Sequence, residues 1–181
     1  MRYVVGIAAI AFAVAAAVTW VVRTQPDWYL RERYPLSYEQ IIRIHAQEHG
    51  LDPALLAAVV YVESRFNPDA RSDAGAIGLM QLLPETAHGI AVRTGGSRFV
   101  VADLRDPDVN VRYGSWYLGH LVARYRSVEL ALAAYHAGEG NVDRWRRERS
   151  GIVFPETRAY VAKVERIRRL YAKAYGSELD Q

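Results

Sequence analysis

Apolar positions along the chain fall into segments of helical rather than alternating period, and each segment carries its own start and stop signals. Ser37 and Gln40 form a capping-box pattern ahead of Ile41, Ile42 and Ile44, with Gly50 suited to end that helix. Asp52 followed by Pro53 is an N-cap and first-turn pair, so a second helix is expected from Pro53 to Phe66. Pro84 opens a short helix to Val92, followed by the glycine-bearing loop "RTGGSRFVVADLRDP". From Asp108 to Tyr125 the positions Val111, Trp116, Tyr117, Leu118, Leu121 and Val122 recur at helical spacing. Ser127 starts a further helix through Leu130, Ala131 and Ala134 that ends before Gly138, and a last long helix is expected from Pro155 to Tyr175. No stretch of strict alternation is long enough for a sheet, so the expected class is mainly α.

The N-terminal pattern differs. Val4 to Val22 contains no charged residue and lies between Arg2 and Arg23. At about 1.5 Å per residue it can cross roughly 30 Å of hydrocarbon. Residues 1–23 therefore read as a transmembrane anchor or a signal helix. Ala13-Val14-Ala15 and Ala15-Ala16-Ala17 resemble cleavage sites, but the apolar run continues past both through Trp20, Val21 and Val22, which favours an uncleaved anchor. Residues 24–36, "TQPDWYLRERYPL", form a connector whose Trp28 and Tyr29 suit a membrane interface. The domain proper spans 37–176, and 177–181 is a tail.

Composition narrows the function classes. The 181 residues are enough for one globular core. The 23 basic and 20 acidic side chains are too balanced for nucleic-acid binding by bulk charge. Basic residues outnumber acidic ones ten to five from 139 to 175, which reads as a solvated helix face. The absence of cysteine excludes disulfides, a thiolate nucleophile and a cysteine metal site. The stretch "HAQEH", 45–49, fits an H-x-x-E-H zinc pattern. It falls at a helix end, where histidine is favourable beside the carbonyl dipole, and is read as a solvated terminus; no metal and no cofactor are assigned.

Glu63 is out of keeping with its surroundings. On the helix from Pro53, Leu55, Val59, Glu63 and Phe66 share one stripe, which places a carboxylate on the apolar side. Desolvation there favours the neutral acid, and a two-unit rise in pKa corresponds to about 2.7 kcal/mol. The loop after it, "SDAGAIGLMQLLP", sets Ser72, Gly75, Gly78 and Gln81 beside Leu79, Met80, Leu82 and Leu83, a mixture suited to a polar ring-shaped ligand. Asp69 and Asp73 lie in turn-rich sequence and read as backbone-bonding residues.

These residues carry a resemblance. The stretches "ESRFNPDARSDAGAIGLMQLLPETA", "NVRYGSWYL", "ALAAYHAGEGNV" and "PETRAYVAKV" occur in that order. Over Ser37 to Tyr175 the chain closely resembles the soluble lytic transglycosylase catalytic domain, a family of lysozyme-like cell-wall enzymes. The resemblance implies a lysozyme-like helical fold, no cofactor, and peptidoglycan glycan strands as substrate. It also implies a carbon–oxygen lyase that opens the β-1,4 bond between N-acetylmuramic acid and N-acetylglucosamine and leaves 1,6-anhydro ends. Glycosidases ordinarily use two carboxylates, but substrate assistance by the 2-acetamido group lets one suffice, and Glu63 matches that position. Ser72, Gly78 and Gln81 match positions lining the sugar site, Tyr135 matches the tyrosine that contacts the catalytic glutamate, and Tyr160 is a weaker candidate. His136 departs from the family, which usually has asparagine there, and bears on sugar contact or cleft support. A lysozyme-type hydrolase on the same fold, or a non-catalytic scaffold of an envelope protein complex, are the alternatives. The expected location is the periplasmic face of the inner membrane, or the periplasm if the N-terminal segment is cleaved.

Overall fold

The computed structural model describes residues 2–96 and 98–179, without the side chains of residues 2–5 and 8–10. The chain divides into two units, Met1–Pro35 and Leu36–Gln181. The first holds α1 (Arg2–Thr24) and α2 (Asp27–Arg33). The expected span Val4–Val22 is helical within α1, but among the described residues no helix is long and apolar enough to cross a membrane. The sequence reading missed α2, whose first turn carries Asp27 and whose last turn carries Arg31 and Arg33, both favourable to the helix dipole.

The second unit is mainly α: α3 (Glu39–Glu48), α4 (Pro53–Ser64), α5 (Pro84–Thr94), a 3₁₀ turn (Val101–Arg105), α6 (Pro107–Tyr125), α7 (Val128–Ala137), α8 (Glu139–Glu148) and α9 (Pro155–Leu179). The pairing among its described residues outside helices consists of the isolated bridges Arg71–Ile77 and Ile77–Leu82. Ser37 does not cap α3; the cap position belongs to Tyr38, whose φ of 56° turns the chain into the helix without a side-chain bond. At the other end Gly50, at φ 62°, leads the chain out.

α4 is the central helix. Asp52 Oδ1 accepts the Ala54 N–H at 2.9 Å and Pro53 occupies the first turn, as the sequence signals. It stops at Ser64, two residues before the expected end, because Arg65 and Phe66 both turn left-handed, with φ of 52° and 62°. Phe66 thereby leaves the helix and packs edge-on against Tyr171 of α9 with centroids 6.3 Å apart, and Tyr171 also meets Tyr61 at 6.0 Å. Arg168 of α9 reaches Asp52 at 2.5 Å, fixing the start of α4. Leu55, Leu56, Val59 and Val60 are buried, each stabilising by about 1.5–3 kcal/mol. That sum outweighs the strain of carrying a half-buried carboxyl at the end of the same helix.

Past α6, Ser127 Oγ accepts the Leu130 N–H and Gly138 ends α7 at φ 85°. Gly138 also begins α8, which the sequence reading did not separate: its buried face consists of Val142 and Trp145, and Trp145 meets Phe154 at 4.9 Å. The last helix runs on through Leu179, which is buried, so residues assigned to a tail continue α9.

A candidate active site around Glu63

Three elements converge on Glu63. It lies in the last turn of α4, partly buried, and the phenol of Tyr160 on α9 donates to its Oε1 at 2.6 Å. Burial pushes the Glu63 carboxyl up to about 7, against the opposing pull of the Tyr160 hydrogen bond and the Lys163 charge. The group is thus poised between acid and base near neutral pH. Burial, then the proximity of Glu63, hold the phenols of Tyr160 and Tyr135 well above the ordinary tyrosine range, so both remain O–H donors.

The resemblance implied a Tyr135 contact with the glutamate and made Tyr160 the weaker candidate; the hydrogen bonds run otherwise. The Tyr135 hydroxyl donates to the Met80 carbonyl at 2.7 Å, and the bond to Glu63 comes from Tyr160. His136 lies behind Tyr160, its ring 4.5 Å away and tilted by 32°, with Nδ1 3.1 Å from Thr157 Oγ1. Its position in the site is therefore that of a buttress to the phenol.

The loop between α4 and α5 is held by its own polar groups. Ser72 Oγ accepts the Ala76 N–H at 3.1 Å, and Gln81 Nε2 donates to the carbonyls of Ala70 and Gly78 at 3.1 and 3.0 Å. Ser64 Oγ donates to the Leu79 carbonyl at 2.8 Å, joining the loop to the turn that bears Glu63. Gly78 is buried at φ 81°, and a Cβ there would strike Asn110 and the Leu104 carbonyl. It serves the close approach of loop to α6 rather than exposing a surface.

Sequence reasoning passed over Asn110. This fully buried side chain in the first turns of α6 accepts the Met80 N–H at 2.7 Å and donates to the Ile77 and Leu104 carbonyls at 2.9 and 2.8 Å. Together with Tyr135 it saturates both polar groups of the Met80 backbone. Gly114, one turn on, is where a Cβ would meet the Met80 side chain. Below the loop, Ile77, Leu82, Ala87, Ile90, Leu104 and Tyr113 form a small core against which Tyr117 and Tyr135 pack.

Among the described residues, the side chains able to hold a metal ion gather at the end of α3: His45, Glu48 and His49. His45 is 5% exposed, which corrects the reading of this stretch as a solvated helix end. Burial lowers the His49 pKa from the ordinary histidine value.

Removing the Tyr160 hydroxyl tests the electrostatics of the site. A hydrogen bond to a charged group contributes about 1.5–3 kcal/mol, so Tyr160→Phe raises the Glu63 pKa by about one to two further units. Carbon-13 titration of the Glu63 carboxyl reads this shift; an unchanged midpoint shows that the phenol does not stabilise the anion.

The motifs have matches among known proteins. A family model described as the transglycosylase SLT domain matches residues 40–152. The soluble lytic murein transglycosylase of Escherichia coli strain K12 is 31% identical over 148 residues, covering 75% of this chain and 23% of its own. The crystal structure of the 70 kDa soluble lytic transglycosylase of Escherichia coli superposes with a TM-score of 0.77 at 29% identity, covering 83% of this chain and 26% of the other. The lytic transglycosylase Slt of Pseudomonas aeruginosa, solved as an inactive glutamate-to-glutamine mutant, superposes with a TM-score of 0.76 at 31% identity over 91% of this chain and 30% of its own. The chain thus spans about a quarter of the length of its first curated relatives. The helical architecture is that of the soluble lytic transglycosylases, and the chain belongs to the transglycosylase SLT domain family.

Proposed function

We propose that this chain is a peptidoglycan lytic transglycosylase that cleaves the β-1,4 bond between N-acetylmuramic acid and N-acetylglucosamine without water. The observation that carries this reading is the carboxyl of Glu63, raised to about 7 and held by Tyr160. Glu63 as the acid gives its proton to the glycosidic oxygen while the substrate's 2-acetamido oxygen supports C1. As the carboxylate it then takes the proton of the muramic 6-hydroxyl, whose oxygen bonds C1 and displaces the acetamido oxygen. The proton count closes and a 1,6-anhydro ring results. The relative from Pseudomonas aeruginosa described as an inactive glutamate-to-glutamine mutant supports an essential glutamate.

In this reading Tyr160 and His136 set the orientation of Glu63. Ser72, Gly78 and Gln81 keep the loop in shape beside the sugar, and Tyr135 fixes its Met80 edge. Residues 37–176 act as the catalytic domain. The first 23 residues anchor it at the periplasmic face of the inner membrane, near any envelope assembly that needs an opening in the wall. Support for the anchor comes from α1, a 23-residue helix on which Phe12, Val14, Val18 and Trp20 are each more than half exposed.

Mass spectrometry of sacculi digested with the purified chain tests the reaction. Anhydro-ended muropeptides are expected. Reducing ends establish a lysozyme-type hydrolase instead, and intact sacculi establish a binding scaffold.

A further inference from the structure

The end of α3 gathers side chains that the chemistry at Glu63 does not use. His45 faces two carboxylates: Nδ1 lies 3.0 Å from Glu48 Oε2 and Nε2 lies 2.9 Å from Asp108 Oδ1. A neutral imidazole has a single N–H, so only one of these contacts can be an ordinary hydrogen bond. In that neutral form the other sets a nitrogen lone pair against a carboxylate oxygen, a contact that either a second proton or a bound cation relieves. His49 lies beside it. Its Nε2 is buried without a hydrogen-bond partner, 3.9 Å from the same Glu48 oxygen. Gly119 of α6 lets this residue in, since a Cβ there would stand 3.1 Å from the His49 carbonyl oxygen and 3.2 Å from its Cβ.

We propose that His45, Glu48 and His49 bind a divalent transition-metal ion of the zinc class, with Asp108 orienting His45 by accepting its Nε2–H. Two imidazoles and one carboxylate suit zinc and its neighbours. Calcium and magnesium, which take six or more oxygens in calcium's case and mostly water in magnesium's, are poorly matched. Two ligand atoms about 2.1 Å from a tetrahedral ion stand about 3.4 Å apart. The observed 3.0 and 3.9 Å lie on either side of that spacing, and all three ligand atoms fall within 4.8 Å of one another. Small rotations of the rings close the set. A carboxylate behind a ligating histidine is the usual outer partner of such a site, fixing tautomer and ring direction.

Access and purpose also follow from position. Glu48 and Asp108 are each more than half exposed, so the ion has an entry path. A cavity of about 350 Å³ bordered by Glu48, His49, Arg112 and Trp116 leaves room for water as a fourth ligand. Asp108 is in the first turn of α6. The ion therefore ties together the last turn of α3, whose His45 is already held to the start of α6 through Asp108, and stabilises the folded domain by mass action. This proposal is independent of the reaction at Glu63.

The test uses the full chain, freed of metal with a chelator and titrated with Co²⁺ and then Zn²⁺. One equivalent of Co²⁺ is expected to give the visible absorption of a tetrahedral N/O site, and Zn²⁺ to abolish it while raising the thermal midpoint. His49→Ala removes the signal, and Asp108→Asn weakens Zn²⁺ binding by about 10–100-fold in competition with a chromophoric chelator. His88→Ala, at an exposed position on α5, leaves it unchanged. Circular dichroism checks each fold; if His49→Ala does not fold, the exposed Asp108→Asn decides alone. Absence of saturable binding by the unaltered chain, or equal affinity in Asp108→Asn, overturns the site.

Discussion

Glu63→Gln is expected to abolish the release of anhydro-ended fragments and, in the same sample, to make the domain harder to unfold at pH 8. The first effect follows from one group working twice. General acid–base catalysis contributes about 10²–10⁴-fold per proton transfer, so losing both functions lowers turnover by at least about 10³-fold. The amide can still accept the Tyr160 hydrogen bond, which keeps the local geometry. The second effect follows from linkage. The folded carboxyl titrates at about 7 against an ordinary value of 4.5, so between those pH values the folded state retains a proton that the unfolded chain has released. Stability attributable to this group is complete below pH 4.5 and is lost as pH rises to 7. The loss amounts to about 3 kcal/mol. Glutamine has no proton to lose, so the variant should exceed the parent by up to that amount at pH 8 and match it at pH 4. Urea unfolding at both pH values measures the difference. Retained turnover sinks the catalytic assignment, while equal stability at both pH values shows that Glu63 is not desolvated.

Asn110→Ala should destabilise the domain by about 3–5 kcal/mol, the largest structural effect of a single substitution near the site. Three buried backbone groups, the Met80 N–H and the Ile77 and Leu104 carbonyls, lose their partner at once. Each unsatisfied group costs about 1–3 kcal/mol, softened where the loop can relax toward water. Asn110→Asp separates the contributions: it keeps the acceptor for Met80 and loses both donors. Denaturant titration of the two variants should therefore show losses in both, with turnover falling further than stability alone explains, because the loop beside Glu63 is no longer held. A change below about 1 kcal/mol in Asn110→Ala shows that the loop is supported elsewhere.

Local signals in the sequence were reliable where the physics is local. Asp52-Pro53, Ser127 and Gly138 act within a few residues of themselves, and the structure places helix ends at each. The placement of Glu63 on an apolar stripe was readable for the same reason, since it needed only the helical period. What could not be read depends on contacts between distant segments. A polar residue near a helix start, such as Asn110, has the same sequence signature whether it faces solvent or a buried loop. Which of Tyr135 and Tyr160 reaches Glu63 is decided by the seat of α9 on α4. α8 was hidden because its apolar face is only Val142 and Trp145. Ser37 failed as a cap because the left-handed turn at Tyr38 belongs to the approach of the chain, not to the helix. The buried His45 was mistaken for solvated because Asp108, its partner, is 63 residues away.

Ninety-seven residues separate the carboxyl from the phenol that steadies it, and the phenol rides on the last helix. A chain cut before α9 holds its glutamate without that support and without the aromatic seat of Tyr171. On the reading proposed above, removal of α9 therefore leaves the acid in place but takes away the proton donor that orients it.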